Sequence, residues 1–234
     1  MTHAASPRPC ADLLVEARRT GSIVDAQGTP RPLNSEISER FCAALSAVVT
    51  REQPKLVIEI GMACGFSTLA ILSALPQGAR LLSIDPFQHR DYHGLGHALV
   101  QRSDRAEAHT LIEEPDYLAL PRLLEQGATA DLVYIDGMHT FDYVALDAFY
   151  ADKLVRPGGV VAFNDCGFRS IHKFLKYFRK HRDYEELDVG LAPDFKGGNP
   201  LITLSRRLTG RSNQDRYFRK KSDWEPVHNY FKTF

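Results

Sequence analysis

The sequence predicts an α/β fold: a seven-stranded, mostly parallel sheet with helices on both faces and a C-terminal antiparallel hairpin. Three observations lead there. Five short β-rich runs, KLVIEI, RLLSID, AEAHTLIE, DLVYID and GGVVAFND, alternate with helical stretches, and strand–helix alternation implies a parallel sheet. The runs LVIEI and GVVAF are almost wholly apolar, as strands covered on both faces are. Beyond the last of the five, YEELDVG and PLITLSRR are joined by a Gly/Pro-rich loop with no helix between them. That spacing predicts a hairpin at the sheet edge.

The remaining elements follow in order. Residues up to about Pro32 are rich in Pro, Gly and Ser and predict a loosely structured arm with one short helix around ADLLVEARR. In NSEISERFCAALSAVV, capping residues precede Ile37, Phe41, Ala44 and Leu45 at helical spacing, which predicts a helix entering the core. The stretches STLAILSALP, LGHALVQR, PDYLALPRLLEQG and TFDYVALDAFYADKLV are the helices between strands. SIHKFLKYFRKHR is the helix before the hairpin.

Composition excludes several classes. The 234 residues are 44% apolar, enough for a sizeable core, and no run approaches the roughly 20 apolar residues of a membrane span. Twenty-nine basic residues balance 29 acidic ones, without the basic excess of a nucleic-acid binder. The local basic cluster in SRRLTGR and RYFRKK reads as a solvated face. MTHAASPRPCADLL lacks a charged start followed by an apolar core, so no signal peptide is expected. Cys10, Cys42, Cys64 and Cys166 are scattered, with no CxxC pair. Reduced thiols in a cytoplasmic protein are the expectation.

Chemistry concentrates where strands end. The first strand runs into E-I-G-M-A-C-G-F-S-T. Gly61 and Gly65 permit a sharp turn and close approach to a ligand, Glu59 offers a carboxylate at the strand end, and Ser67 and Thr68 stand where a helix begins. The G-x-x-x-G spacing departs from the G-x-G-x-x-G dinucleotide fingerprint, and no Lys-Ser/Thr pair follows to make a phosphate loop. A plain strand–turn–helix remains the alternative. Asp85 ends the second strand in SIDP, 20 residues after Gly65. An acid there can accept hydrogen bonds from both ribose hydroxyls or start an Asp-Pro turn.

Taken together, EIGMACGFS, SIDP, DLVYIDGMH and LVRPGGVVAFND resemble the class I S-adenosylmethionine-dependent methyltransferases, over roughly residues 35 to 207. Those enzymes have a Rossmann-like seven-stranded sheet. The segment from Asp131 to Asp165 is similar to small-molecule O-methyltransferases, both the metal-dependent catechol and caffeoyl-CoA types and the macrolide-sugar type. The resemblance implies that Glu59, Gly61, Gly65 and Ser67 surround the methionine part of S-adenosylmethionine. It gives the ribose to Asp85 and, on a looser match, an adenine contact to Glu114 or Asp116. It divides the chain into an arm or lid (1–34), an S-adenosylmethionine-binding methyltransferase domain (35–207) and an aromatic and basic tail (208–234).

The fourth strand ends at Asp136 and the fifth at Asn164-Asp165. Adjacent parallel strands would bring these oxygens together, and hard divalent cations such as Mg2+ take carboxylate and amide oxygens. A metal there would act on the acceptor oxygen as a Lewis acid. His139, in a D-G-x-H arrangement with Asp136, can serve as the base; the macrolide-sugar relatives resemble this. The other readings are that Asp136 caps the following helix, that His139 is a surface residue and that Asp165 forms a turn. The loop QHRDYHGLGHALVQR, with His89, His93, His97 and Tyr92, reads as a cleft rim. The tail aromatics Tyr217, Phe218, Trp224, Tyr230, Phe231 and Phe234 read as packing on the domain or across a dimer.

The expected function is Mg-assisted methyl transfer to a hydroxyl of a small molecule or secondary metabolite. The expected partner is that acceptor, not nucleic acid or membrane, with a homo-oligomer open. Alternatives are a metal-independent N- or carboxyl-methyltransferase, an NAD-dependent oxidoreductase on a Rossmann sheet, and a cofactor-binding protein without catalysis.

Overall fold

The computed structural model describes residues 6–234. The chain divides into two compact units, one ending at Ala119 and the other beginning at Leu120. No helix among the described residues is long and apolar enough to cross a membrane. All four cysteines are buried, and none forms a disulfide among the described residues.

The first unit opens with α1 (Cys10–Thr20), β1 (Ser22–Val24), β2 (Pro30–Pro32) and α2 (Glu39–Glu52). The arm is more ordered than its composition predicts. Cys10, Leu13 and Ala17 recur on one face of α1 and are buried, and the helix packs against α3 (Phe66–Ala74). Gly21 ends α1 in the left-handed conformation that glycine tolerates (φ 63°). Asp25 then closes the β1–β2 turn by accepting the Gln27 and Thr29 N–H groups and the Arg31 guanidinium.

Next come β3 (Leu56–Ile60), β4 (Arg80–Ile84), α4 (Leu95–Gln101), β5 (His109–Ile112) and the first residues of α5 (Asp116–Glu125). These strands pair in parallel, Leu56 to Ile60 against Arg80 to Ile84 and Leu81 to Ile84 against His109 to Ile112. Every residue of α3 from Phe66 to Leu72 is buried, because α1 and α2 both pack on it. An apolar helix without a polar face is stable only when enclosed in this way.

The second unit holds β6 (Ala130–Ile135), α6 (Phe141–Leu154), β7 (Val155–Phe163), α7 (Arg169–His181), β8 (Tyr184–Leu187), α8 (Pro200–Thr209) and β9 (Arg216–Lys220). β6 and β7 are parallel, while β9 runs antiparallel to both β7 and β8. α7 buries Ile171, Phe174, Leu175 and Phe178 along one face. Phe163, Phe174, Phe178 and Phe218 form an aromatic cluster with centroids 5.3–5.9 Å apart. The strand order is β5-β4-β3-β6-β7-β9-β8, so the expected seven-stranded, mostly parallel sheet is present.

The hairpin expectation needs correction. PLITLSRR is helix α8, not a strand. Its start and stop are encoded locally: Asn199 accepts the Ile202 N–H at 2.9 Å, Pro200 stands in the first turn, and Gly210 ends the helix with φ 69°. The antiparallel partner of β8 is instead RYFRK, which the sequence assigned to a tail beyond residue 207. Tyr217 and Phe218 are fully buried there. The charges of β9 are matched one by one: Arg216 pairs with Glu186, Arg219 donates to the Gly158 carbonyl, and Lys220 reaches Asp223 and the carbonyls of Asp152 and Val155. Beyond β9, the tail packs back on α7. Tyr230 donates to the Lys180 carbonyl, and the Tyr230, Phe231 and Phe234 rings surround His181.

This assignment is testable. Phe218→Ala should lower unfolding free energy by about 3–5 kcal/mol, the cost of emptying a buried phenylalanine site. Leu204→Ala, on the exposed α8, should change it by less than about 0.5 kcal/mol. Urea denaturation measures both, and the reverse order would restore PLITLSRR as the interior strand.

Candidate active site

In the first unit, the loop after β3 is built around two buried acids. Glu59 is fully buried, and its Oε2 accepts hydrogen bonds from Thr68 (2.7 Å) and Ser83 (2.5 Å). Glu59 thereby ties the base of the loop to α3 and β4. Asp85 is 3% exposed. Its Oδ2 accepts the Met62 and Ala63 N–H groups and the Gln88 side-chain amide, and its Oδ1 accepts the Phe87 N–H. Gly61 (φ 87°), Ala63 (φ 46°) and Gly65 (φ 81°) all take left-handed conformations. A Cβ on Gly65 would lie 3.1 Å from the backbone of Gly96, so glycine is required for both turn and fit. Gly65 occupies the N-cap position of α3 and no side chain caps that helix. Ser67 is buried within the first turn, and Thr68 bonds to Glu59 rather than capping the helix.

The residues expected near adenine lie just beyond β5. Asp116 is buried and its Oδ1 accepts the Tyr117 N–H at 2.7 Å, while Glu114 is half-buried. Of the rim histidines, His89 contacts Glu113 at 2.7 Å. Among the described residues the three histidines form no metal-ligand cluster.

In the second unit, Asp136, His139 and Asp165 converge, with one potential ligand atom from each lying within 4.8 Å of the others. His139 Nε2 stands 3.5 Å from both Asp136 Oδ1 and Asp165 Oδ2. That nitrogen is buried and has no hydrogen-bond partner. The imidazole stacks on Phe168, centroids 5.0 Å apart and planes at 10°, and Ser170 holds the His139 carbonyl. Asp165 adopts a left-handed φ of 51°, a conformation Asp tolerates better than most residues. Thr140 occupies the N-cap position of the following helix, so Asp136 is not its N-cap.

Electrostatics follow from crowding. Burial raises the Asp136 pKa to about 6, and burial also raises that of Asp165. The Asp136 carboxylate beside it raises the His139 pKa. Two acids that resist ionisation beside an imidazole that favours protonation mark a site short of positive charge.

Asn164 is placed differently from the expectation. It is buried, and its Nδ2 donates inward to Tyr134 Oη (3.0 Å) and Asp215 Oδ1 (3.1 Å). Tyr134 donates to the other oxygen of Asp215 at 3.0 Å. Asp215, missed by sequence reasoning, is 1% exposed, and burial near Asp136 pushes its pKa well up. Its signal was weak: a lone acid in NQDR within a stretch assigned to a tail. The donor set fits a hard divalent cation: two carboxylates are in place, and a ligand role for Asn164 falls to its carbonyl oxygen, since the amide nitrogen is engaged.

Comparison with known proteins agrees with this architecture. Residues 58–166 match the family model described as a methyltransferase domain. Catechol O-methyltransferase B of Danio rerio is 29% identical over 151 residues, which cover 63% of this chain and 55% of that protein. Caffeoyl-CoA O-methyltransferase 3 of Nicotiana tabacum is 27% identical over 185 residues, covering 70% and 73%. The chain thus spans little more than half the length of some curated relatives, including 60% of catechol O-methyltransferase from Bos taurus. Among solved structures, the O-methyltransferase TomG of Streptomyces achromogenes, in complex with S-adenosylmethionine, matches with TM-score 0.64 at 17% identity, covering 94% and 93%. The O-methyltransferase of Bacillus cereus, in complex with S-adenosylhomocysteine, matches at 0.64 and 13%, covering 91% and 90%.

The chain has the fold of the class I S-adenosylmethionine-dependent methyltransferases. Its relatives within that class are O-methyltransferases of the catechol and caffeoyl-CoA types.

The electrostatics carry a direct test. In the metal-free protein, NMR titration of His139 should give a pKa above 6.5, and Asp136→Asn should lower it. Below 6.5 the unfolded imidazole is protonated too, so the Asp136–His139 contact contributes there until Asp136 itself takes a proton near its pKa of about 6, and it is lost as pH rises through the folded His139 pKa. A wild-type value at or below 6.5 would remove the coupling.

Proposed function

We propose that this chain is an S-adenosylmethionine-dependent O-methyltransferase acting on a hydroxyl of a small molecule. The observation that carries the proposal is the convergence of His139 with Asp136 and Asp165 beyond the ends of β6 and β7. The names of the curated relatives support hydroxyl acceptors, and the cofactor complexes of the solved neighbours support S-adenosylmethionine. Four cysteines outside any disulfide support a cytoplasmic setting.

Each residue then has a task. Glu59 and Asp85 hold the Gly61–Gly65 loop in a strained shape ready for the cofactor. Asp85 Oδ1 accepts a single bond here, which leaves it acceptor capacity for a ribose hydroxyl. His139 takes the acceptor's hydroxyl proton at Nε2, and Asp136 steadies the resulting imidazolium. Phe168, stacked on the ring, restricts its rotation. When bound, S-adenosylmethionine supplies a sulfonium methyl, and a Mg2+ ion held by Asp136, Asn164 and Asp165 lowers the acceptor's pKa. The protein's remaining contribution is alignment for in-line displacement and exclusion of water.

One observation favours a metal-free variant. His139 lies equally close to both carboxylates, so an imidazolium can offset one of their two charges without an ion while the other acid, its pKa raised by burial, keeps a proton. Exhaustive chelation separates the two: full activity afterwards selects the metal-free form, and loss restored by Mg2+ selects the metal-assisted one.

Two substitutions test the assignment. Asp85→Ala should weaken S-adenosylmethionine binding in calorimetry by at least about tenfold, the loss of one to two charge-assisted hydrogen bonds. Unchanged affinity would count against a cofactor role for the loop. His139→Ala should keep cofactor affinity and lower turnover of trial acceptors such as catechol by roughly 10²–10⁴-fold. Undiminished turnover would exclude His139 as the base.

A further inference from the structure

Asp215 has no task in the scheme above, although the sheet delivers it to the candidate cation site. β9 runs antiparallel to β7 with Arg216 opposite Phe163. The residue before β9 therefore falls opposite the residue after β7, which sets Asp215 beside Asn164. The turn that carries it is braced: the Asn213 N–H donates to the Asp194 carbonyl at 2.7 Å, and Ser212 Oγ accepts the Asp194 N–H at 2.8 Å. Tyr134, the penultimate residue of β6, reaches the same point. All three side chains, Tyr134, Asn164 and Asp215, are buried.

Their hydrogen bonds close a triangle. Asn164 Nδ2 donates to Tyr134 Oη at 3.0 Å and to Asp215 Oδ1 at 3.1 Å, and Tyr134 Oη donates to Asp215 Oδ2 at 3.0 Å. Both amide hydrogens and the phenol hydrogen are thereby used. Turned over, the amide would set its carbonyl oxygen against a carboxylate oxygen and against a phenol oxygen whose hydrogen is committed. Burial drives the Asp215 pKa up, but a proton on Oδ2 would leave Oδ1 an acceptor, so the amide keeps this orientation in either state. The Asn164 N–H is held as well, donating to the Ile135 carbonyl at 3.0 Å. With backbone and amide nitrogen both fixed, the side-chain carbonyl oxygen is the group that Asn164 has left for a ligand. Donation from an amide N–H to a carboxylate also pushes electron density onto that oxygen, which makes it a better ligand for a hard cation.

We propose that Asp215 and Tyr134 are positioning residues that orient Asn164 so that its carbonyl oxygen ligates a divalent cation shared with Asp136 and Asp165. The proposal rests on the metal-assisted reading of that centre. Neither residue touches the ion in this scheme; both act through Asn164, and Asp215 is the reason an amide rather than a third carboxylate suits position 164. An aspartate there would face Asp215 directly, like charge against like.

The test is titration of the full chain with Mn2+, read from the electron paramagnetic resonance of the free ion, in parallel with S-adenosylmethionine calorimetry. Wild type should take up Mn2+. Asp215→Leu, close in size but without acceptors, should weaken Mn2+ binding at least about tenfold, the usual cost of losing an outer partner of a metal ligand, with S-adenosylmethionine affinity unchanged. Should the buried substitution unfold the protein, Tyr134→Phe, which removes only the hydroxyl, serves in its place with the same direction expected. Combined with Asn164→Ala, either substitution should weaken Mn2+ binding no further than Asn164→Ala does alone. Wild-type Mn2+ affinity in a folded variant, equal loss of both affinities, or a weakening that persists undiminished in the Asn164→Ala background overturns the proposal while leaving the metal-assisted reading in place. A wild type that takes up no Mn2+ overturns that reading, and the positioning role with it.

Discussion

A buried carboxylate must find hydrogen-bond donors, a counter-charge or a proton, and that requirement organises the ligand-facing parts of this protein. Four acids meet it from within. Glu59 takes two hydroxyl donors, Asp85 takes three backbone N–H groups and an amide, Asp116 takes an N–H at its own helix start, and Asp215 takes a phenol and an amide. Asp136 and Asp165 do not. Among the described residues, the group that can balance them is His139, at 3.5 Å from each. The structural acids are told apart from the reactive ones by their donors as well as by their burial, since Asp136 and Asp165 are only half-buried, and the shortfall falls where chemistry needs an external charge.

Much of the fold was legible because sequence and structure share a period. The five alternating strands are near-continuous apolar runs, and each helix between them carries a buried face at helical spacing. The C-terminal pair was misread for a physical reason. PLITL has the composition of a strand, but Asn199, Pro200 and Gly210 are helix boundary signals, and they decide the outcome. RYFRK looked like a basic tail because its charges are conspicuous. Its burial became apparent only when tertiary partners for Arg216, Arg219 and Lys220 could be seen.

The site divides in the same way. Glu59, Asp85, Asp136 and His139 stand out in sequence because each lies at a strand end or just beyond it in a recognisable motif. Asp215 was not legible. Its role depends on its loop folding back onto Tyr134 and Asn164, and it carries no local pattern. Asn164 was legible in position and not in orientation: the Tyr134–Asp215 pair engages its amide nitrogen, which a strand-end rule does not foresee.

The claim that Asp136 and Asp165 are short of positive charge is tested most directly by metal location. A crystal structure of the protein with Mn2+ as a Mg2+ surrogate, analysed by anomalous scattering, would show the ion itself. The account predicts one strong peak in contact with the carboxylates of Asp136 and Asp165 and with the Asn164 carbonyl oxygen. A site without any peak, in which His139 bridges the two acids as an imidazolium, would contradict the metal-assisted account and leave the imidazole as their sole counter-charge.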